Sequence, residues 1–142
     1  MSFVKIWIHV VWSTKNRKPL LKKEVRHHLF EHIHDNAKAK GIMIDSVGGH
    51  IDHVHCLFRL RNDQTVSKVI QLIKGESAFW VNKNFLLKEK LVWQSEYFAV
   101  SVNESGLDRI RNYIANQEAH HTKSSFQEEY DRLMKDYKFK IF

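Results

Sequence analysis

The stretch "IMIDSVGGHIDHVHCLFRL", residues 42–60, reads as two strands joined by a short connection. Residues 42–47 form the first strand, Gly48 and Gly49 open a turn, and residues 53–60 form the second. So short a connection makes the pair an antiparallel hairpin. His53 and His55 stand two apart on the second strand, so their side chains project side by side on one face, with Leu57 and Arg59 further along. Val54, Cys56 and Phe58 point the other way, toward the natural core side. Two readings fit the histidines: a pair of metal ligands, or two strand histidines that are exposed, or buried and hydrogen-bonded. The chain carries its own comparison in "EHIHD", residues 31–35, which holds His32 and His34 at the same spacing. With ten histidines in 142 residues, roughly one such pair is expected by chance. Residues 31–35 read as helix, where positions two apart lie about 200° around the axis. His32 and His34 therefore cannot grip one ion from an intact helix.

Working outward, residues 3–12 are β-branched and aromatic and read as a first strand, with Pro19 beyond it in a basic turn. Residues 22–40 form an amphipathic helix with Val25, Leu29, Ile33 and Ala37 on one stripe, ended by Gly41. Residues 65–83 form a second helix. Gly75 inside it costs about 1 kcal/mol relative to Ala, which suggests close packing there. Residues 91–102 read as the last strand. "SGLD" (105–108) looks like a capping box opening a third helix to about His120, and "SFQE" (125–128) caps a fourth reaching about Tyr137. The order β-α-β-β-α-β-α-α gives an α/β (α+β) chain. It predicts a ferredoxin-like βαββαβ antiparallel sheet with helices on one face, plus two C-terminal helices. Residues 1–142 are expected to form a single domain. There is no repeat, low-complexity segment or evident linker.

Hydrophobic residues make up 43% of the chain, enough for a core, which excludes a disordered chain. No apolar run reaches the length of a membrane span. The N-terminus starts apolar but has no basic leader followed by a small-residue cleavage site, so a strand is expected rather than a signal peptide. The single Cys56 cannot form an internal disulfide, which suits a reducing cytoplasm. A net charge of +7 fits a polyanionic partner as readily as a merely basic protein. The clusters "TKNRK" (14–18) and "LKK" (21–23) tilt the balance toward nucleic acid, and a few of the many aromatics could stack bases.

Two imidazoles make an incomplete metal site. The helix "LDRIRNYIANQEAHH" (107–121) has Leu107, Ile110 and Ile114 as its apolar stripe. Tyr113 and Gln117 lie together on one side of that stripe, with His120 one turn further. An ordinary half-buried tyrosine with a polar neighbour fits this pattern too.

"HIDHVHCLF" (50–58) resembles the HUH signature, two histidines around a hydrophobic residue on a strand. "NYIANQ" (112–117) resembles the Tyr-x-x-x-Gln helix of the single-tyrosine HUH transposases carried by the smallest bacterial insertion sequences. This is the IS200-like family, which includes the REP-associated tyrosine transposases. "HVVWSTKNRKPLL" (9–21), "VSKVIQLIKGESAFW" (66–80) and "VWQSEYFAVSV" (92–102) look like its first strand and basic turn, second helix and last strand. The resemblance covers nearly the whole chain in order.

The resemblance implies an enzyme that cleaves and rejoins single-stranded DNA at hairpin-marked ends through a 5′-phosphotyrosine. It implies Tyr113 as nucleophile, and His53, His55 and Gln117 as ligands of Mg²⁺ or Mn²⁺. Donor softness alone would suggest Mn, Zn or Ni, since Mg²⁺ prefers an oxygen shell. Lys15, Arg17, Lys18, Lys22 and Lys23 are candidates for phosphate contact. A homodimer is implied, in which the tyrosine helix can complete the partner's histidine site in trans, with residues 103–106 as a hinge. Two alternatives stand beside it: a domesticated REP-associated nuclease, and a non-catalytic nucleic-acid-binding module on the same sheet. His50, before the HUH strand, is a spare ligand or simply surface. The chain ends soon after the fourth helix, so no accessory DNA-binding domain is expected. No general base is evident.

Overall fold

A computed structural model describes residues 1–121 and 124–138. Strands β1 (Ile6–Ser13), β2 (Met43–Gly49), β3 (His53–Leu60) and β4 (Phe98–Val102) form one antiparallel sheet in the order β2-β3-β1-β4. Helix α1 (Lys23–Ala39) joins β1 to β2, and α2 (Val66–Lys83) joins β3 to β4. This is the βαββαβ arrangement that the sequence predicts. Helices α3 (Leu107–Ala115), α4 (Gln117–His121) and α5 (Phe126–Asp136) follow. No helix among the described residues is long and apolar enough to cross a membrane.

Strand parity divides the core. Val10, Trp12, Val54, Cys56 and Phe58 face α1 and α2, meeting Leu29, Ile33, Val69, Ile70 and Ile73. Leu57 faces the other way and packs on Leu107, Ile110 and Ile114 of α3. Val11 and Phe98 share that second face and pack on Phe126 of α5. Each large aliphatic side chain buried this way contributes about 1.5–3 kcal/mol. So α1 and α2 cover one face as expected, while the C-terminal helices cover the opposite one. The histidines of β3 lie on the second face, between α3 and α5.

Several local expectations need correcting. Gly48 and Gly49 continue β2, paired with His55 and Val54, and the turn falls at residues 50–52. A Cβ on Gly48 would stand 2.5 Å from the Ile114 carbonyl oxygen, so this glycine serves the close approach of α3. A Cβ on Gly75 would meet nothing within 4 Å among the described residues, so the close packing expected there is not found. The last strand begins only at Phe98. Before it, pairing is limited to one isolated antiparallel bridge of Trp93 with Thr14, while Leu91 and Trp93 turn into the first core, where the Trp93 indole donates to the Lys74 carbonyl (3.1 Å) on α2. The third helix breaks at Asn116 and restarts as α4. It begins behind a 3-10 turn, Glu104–Gly106, with no side-chain cap. The caps of α2 and α5 are made: Thr65 Oγ1 accepts from the Lys68 amide (3.2 Å), and Ser125 Oγ from the Glu128 amide (3.2 Å). Gly41 ends α1 at φ +73°, a left-handed conformation that glycine adopts without strain.

Candidate active site

His53 and His55 are fully buried, both on the face that parity assigns them. Each ring is held through Nδ1. His53 Nδ1 donates to Asp52 Oδ1 at 2.8 Å, and His55 Nδ1 lies 2.9 Å from Nε2 of His9 on β1. Both Nε2 atoms then point into one pocket, where each meets Glu129 Oε1, at 3.3 Å from His53 and 3.0 Å from His55. Burial opposes a charge on His53, but its bonds to Asp52, Glu129 and Gln117 outweigh burial and raise its pKa. Burial pushes His55 down to about 4. Burial, with His55 adding to it, pushes His9 down to about 3. His9 Nδ1 is buried without a hydrogen-bond partner among the described residues.

Leu107, Ile110 and Ile114 clamp α3 over Leu57, and Arg111 ties it to β2 through a two-pronged bond to Asp45 (3.0 and 2.9 Å). That places Tyr113 and Gln117 over the chain's own histidines, in cis. Gln117 is buried; its Oε1 lies 3.0 Å from His53 Nε2, and its amide nitrogen donates to the Tyr113 carbonyl at 3.3 Å. The half-buried Tyr113 ring meets His55 edge-on at 5.4 Å. Its hydroxyl donates to Glu129 Oε2. Burial, followed by the Glu129 carboxylate, raises the phenol pKa, so the phenol is neutral in this arrangement.

Glu129 is the central residue that sequence reasoning missed. Its carboxylate is fully buried and also faces His120 Nε2 (3.1 Å) and His121 Nε2 (3.5 Å). Burial alone would raise its pKa, but hydrogen bonds from His121, His53 and His55 hold it far below the usual carboxylate range. A signal was present. In "SFQEEYDRLMKDY", Glu129 falls between Phe126 and Tyr130 on the stripe continued by Leu133, so it faces inward with them.

The donor set fits a divalent cation. The ligand atoms of His53, His55 and Glu129 lie within 4.8 Å of one another. Two imidazoles with one carboxylate suit first-row divalent metals. His120, His121 and Glu129 form a second such group around the same carboxylate.

The other candidates scatter. His32 bonds to Glu76 and stacks on Trp80 at 4.0 Å, while His34 is exposed beside Asp35, so that pair does not converge. His50 stacks on His121 at 5.2 Å, at the rim of the site. Lys15, Lys18, Lys22 and Lys23 are exposed, and Lys18 pairs with Glu89 at 3.2 Å. Arg17 instead lies over Phe126 and Tyr130 (5.2 and 5.6 Å) and bonds to Gln127, which ties the basic turn to α5.

A ferredoxin-like sheet with paired histidines on a central strand, facing a tyrosine on a following helix, has the layout of the single-tyrosine transposases. The family model described as "Transposase IS200 like" matches residues 2–117, and the chain belongs to that family of DNA-processing enzymes. It is 30% identical over 117 residues to the ISDra2 transposase TnpA of Deinococcus radiodurans, covering 77% of this chain and 81% of that one. A crystal structure described as that of a transposase from Deinococcus radiodurans R1 is similar at TM-score 0.66 and 26% identity, covering 82% of this chain and 93% of that one. A REP-associated tyrosine transposase bound to a REP hairpin shares the fold at TM-score 0.63 and 17% identity, covering 85% of this chain and 72% of that one.

Proposed function

We propose that this transposase cleaves and rejoins single-stranded DNA at hairpin-marked ends, with Tyr113 as nucleophile. The observation that carries the reading is the convergence of the Tyr113 phenol with His53, His55 and Gln117 on one buried spot. In this reading His53 and His55, with Gln117, hold Mg²⁺ or Mn²⁺. Bound there, the cation supplies positive charge for a non-bridging phosphate oxygen and a fixed template for the scissile group.

The Tyr113 oxygen attacks phosphorus in line with the 3′ oxygen. A P–O(Tyr) bond forms, the P–O3′ bond breaks, and the leaving strand takes up a proton as its 3′-OH. The phenol gives up one proton and the departing 3′ oxygen gains one, so the step is proton-neutral overall, while the Glu129 carboxylate orients the hydroxyl through the hydrogen bond it accepts. The reverse attack, by the 3′-OH of another end, releases Tyr113 and joins the strands. The phosphotyrosine conserves the bond energy, so rejoining needs no nucleotide. Arg109, Asn112, Asn116 and Arg132 line the open groove on which Tyr113 sits, which gives a strand its approach. Lys15, Lys22 and Lys23 contact phosphates of the hairpin, and the enzyme acts as a homodimer.

The hairpin bound by the REP-associated relative supports the choice of DNA substrate and a second reading, a domesticated REP-type nuclease. Paired hairpins flanking the gene favour the mobile element, and dispersed palindromes favour the domesticated form. Cleavage of a single-stranded hairpin oligonucleotide tests the metal assignment. Wild type is expected to cut with Mg²⁺ or Mn²⁺ and to stop on chelation, and His53→Ala to be inactive with either ion. Metal-dependent cleavage by His53→Ala would contradict the assignment.

A further inference from the structure

Glu129 reaches the site from α5, beyond residues 2–117, where the family match ends. Its two oxygens divide the work. Oε1 faces both metal-side nitrogens, His55 Nε2 at 3.0 Å and His53 Nε2 at 3.3 Å. Oε2 faces the Tyr113 hydroxyl and Gln117 Nε2, the latter at 3.3 Å, with His120 Nε2 at 3.1 Å. Desolvating a carboxylate costs several kcal/mol, so a fully buried one needs compensating positive charge or strong hydrogen bonds. Both rings facing Oε1 are anchored through their far nitrogen, one by Asp52 and one by His9. That is the outer bonding of metal-bound histidines, which aims Nε2 at an ion.

We propose that Glu129 is a protein ligand of the cation held by His53 and His55, and that through its second oxygen it fixes Tyr113 beside that ion. The proposal rests on the reading that His53 and His55 bind metal. It removes a chemical mismatch in that reading. Two imidazoles and a neutral amide are a poor set for Mg²⁺ or Mn²⁺, whereas a carboxylate supplies the hard anionic oxygen these ions favour. It also makes α5 part of the active site. Phe126 on the same helix stacks on His53 at 4.1 Å, and Arg17 holds that helix from the basic turn. One side chain thus sets both the charge of the ion's shell and the distance from ion to nucleophile.

Calorimetric titration of the metal-stripped full chain with Mn²⁺ alone tests this, using wild type, Glu129→Gln and His53→Ala. Glu129→Gln is expected to weaken Mn²⁺ binding by about tenfold or more, as is His53→Ala. Wild-type affinity in Glu129→Gln, with binding lost in His53→Ala, overturns the role of Glu129 and leaves the histidine site standing. Unchanged affinity in both variants, or no uptake by wild type, overturns the underlying reading as well. Circular dichroism checks that the variants fold. If Glu129→Gln does not fold, infrared difference spectra of wild type on adding Mn²⁺ decide the matter. A shift of carboxylate stretching bands is expected, and a difference spectrum with imidazole bands alone overturns the proposal.

Discussion

His9 shows how much of the site lies behind the residues that face it. It touches His55 only through the back of the ring, 2.9 Å from Nδ1, yet that bond decides which nitrogen of His55 is left for an ion. Replacing His9 with Phe is expected to cut Mn²⁺ affinity and cleavage by about 10–100-fold with the fold retained. Titration calorimetry and an oligonucleotide cleavage assay check this, and wild-type values would show the contact to be incidental. The same rings set an acid limit. Burial holds the pKa of His9 and His55 down to about 3 and about 4 in the folded chain, against 6.5 when unperturbed. Below about 6.5 the unfolded chain takes up protons that these buried rings refuse, so stability falls as the pH drops toward 4. His53, with its pKa raised, works the other way: it adds stability below its unfolded value and loses it as the pH rises through the folded one. Burial also lowers the pKa of His50 and His120, so four lowered rings against one raised leave a net acid sensitivity. The melting temperature of metal-stripped protein should fall across that window, and less steeply in His9→Phe. Much of this scale was legible. Period two put His53 and His55 on one face, and the i, i+4 spacing put Tyr113 and Gln117 together. Glu129 escaped because a helical stripe shows that a residue faces inward, not which part of the sheet it will face.

Helix α3 carries Tyr113, the proposed nucleophile, and its seat is a glycine. The Ile114 carbonyl of α3 lies over Gly48, where a Cβ would approach to 2.5 Å. Gly48→Ala must lift α3 or bend β2, at a cost of about 1–3 kcal/mol. Cleavage should fall further than stability, because Tyr113 and Gln117 ride on the displaced helix. Urea unfolding and the cleavage assay separate the two effects. Ser125 plays the corresponding part for α5: Ser125→Ala removes the cap and should cost about 1 kcal/mol in urea unfolding. The hairpin and the helices were readable from period and punctuation. The use of the glycines was not, because "GG" signals a turn and close helix approach equally well. Here the residue that demands the glycine, Ile114, lies far along the chain on α3. Residues 91–97 are strand-like only in part: Trp93 makes one bridge to Thr14, and Leu91 and Trp93 pack into the core against α2.

At the scale of the molecule, the sheet works as a partition. One face holds the larger apolar core with α1 and α2, and the other carries the histidines under α3 and α5. The net charge of +7 adds long-range attraction for a polyanion. If Lys22 and Lys23 meet phosphates, their replacement by Ala should lower the slope of log affinity against log salt by about 0.7 for each contact with single-stranded DNA. Arg17→Ala should act through α5 instead, lowering stability along with binding, because its guanidinium packs on Phe126 and Tyr130. The central claim is that Tyr113 makes the covalent bond to DNA. Wild type and Tyr113→Phe, incubated with a single-stranded hairpin substrate and Mg²⁺ and then denatured, test it directly. A covalent protein–DNA adduct is expected from wild type alone, and an undiminished adduct from Tyr113→Phe would contradict the account.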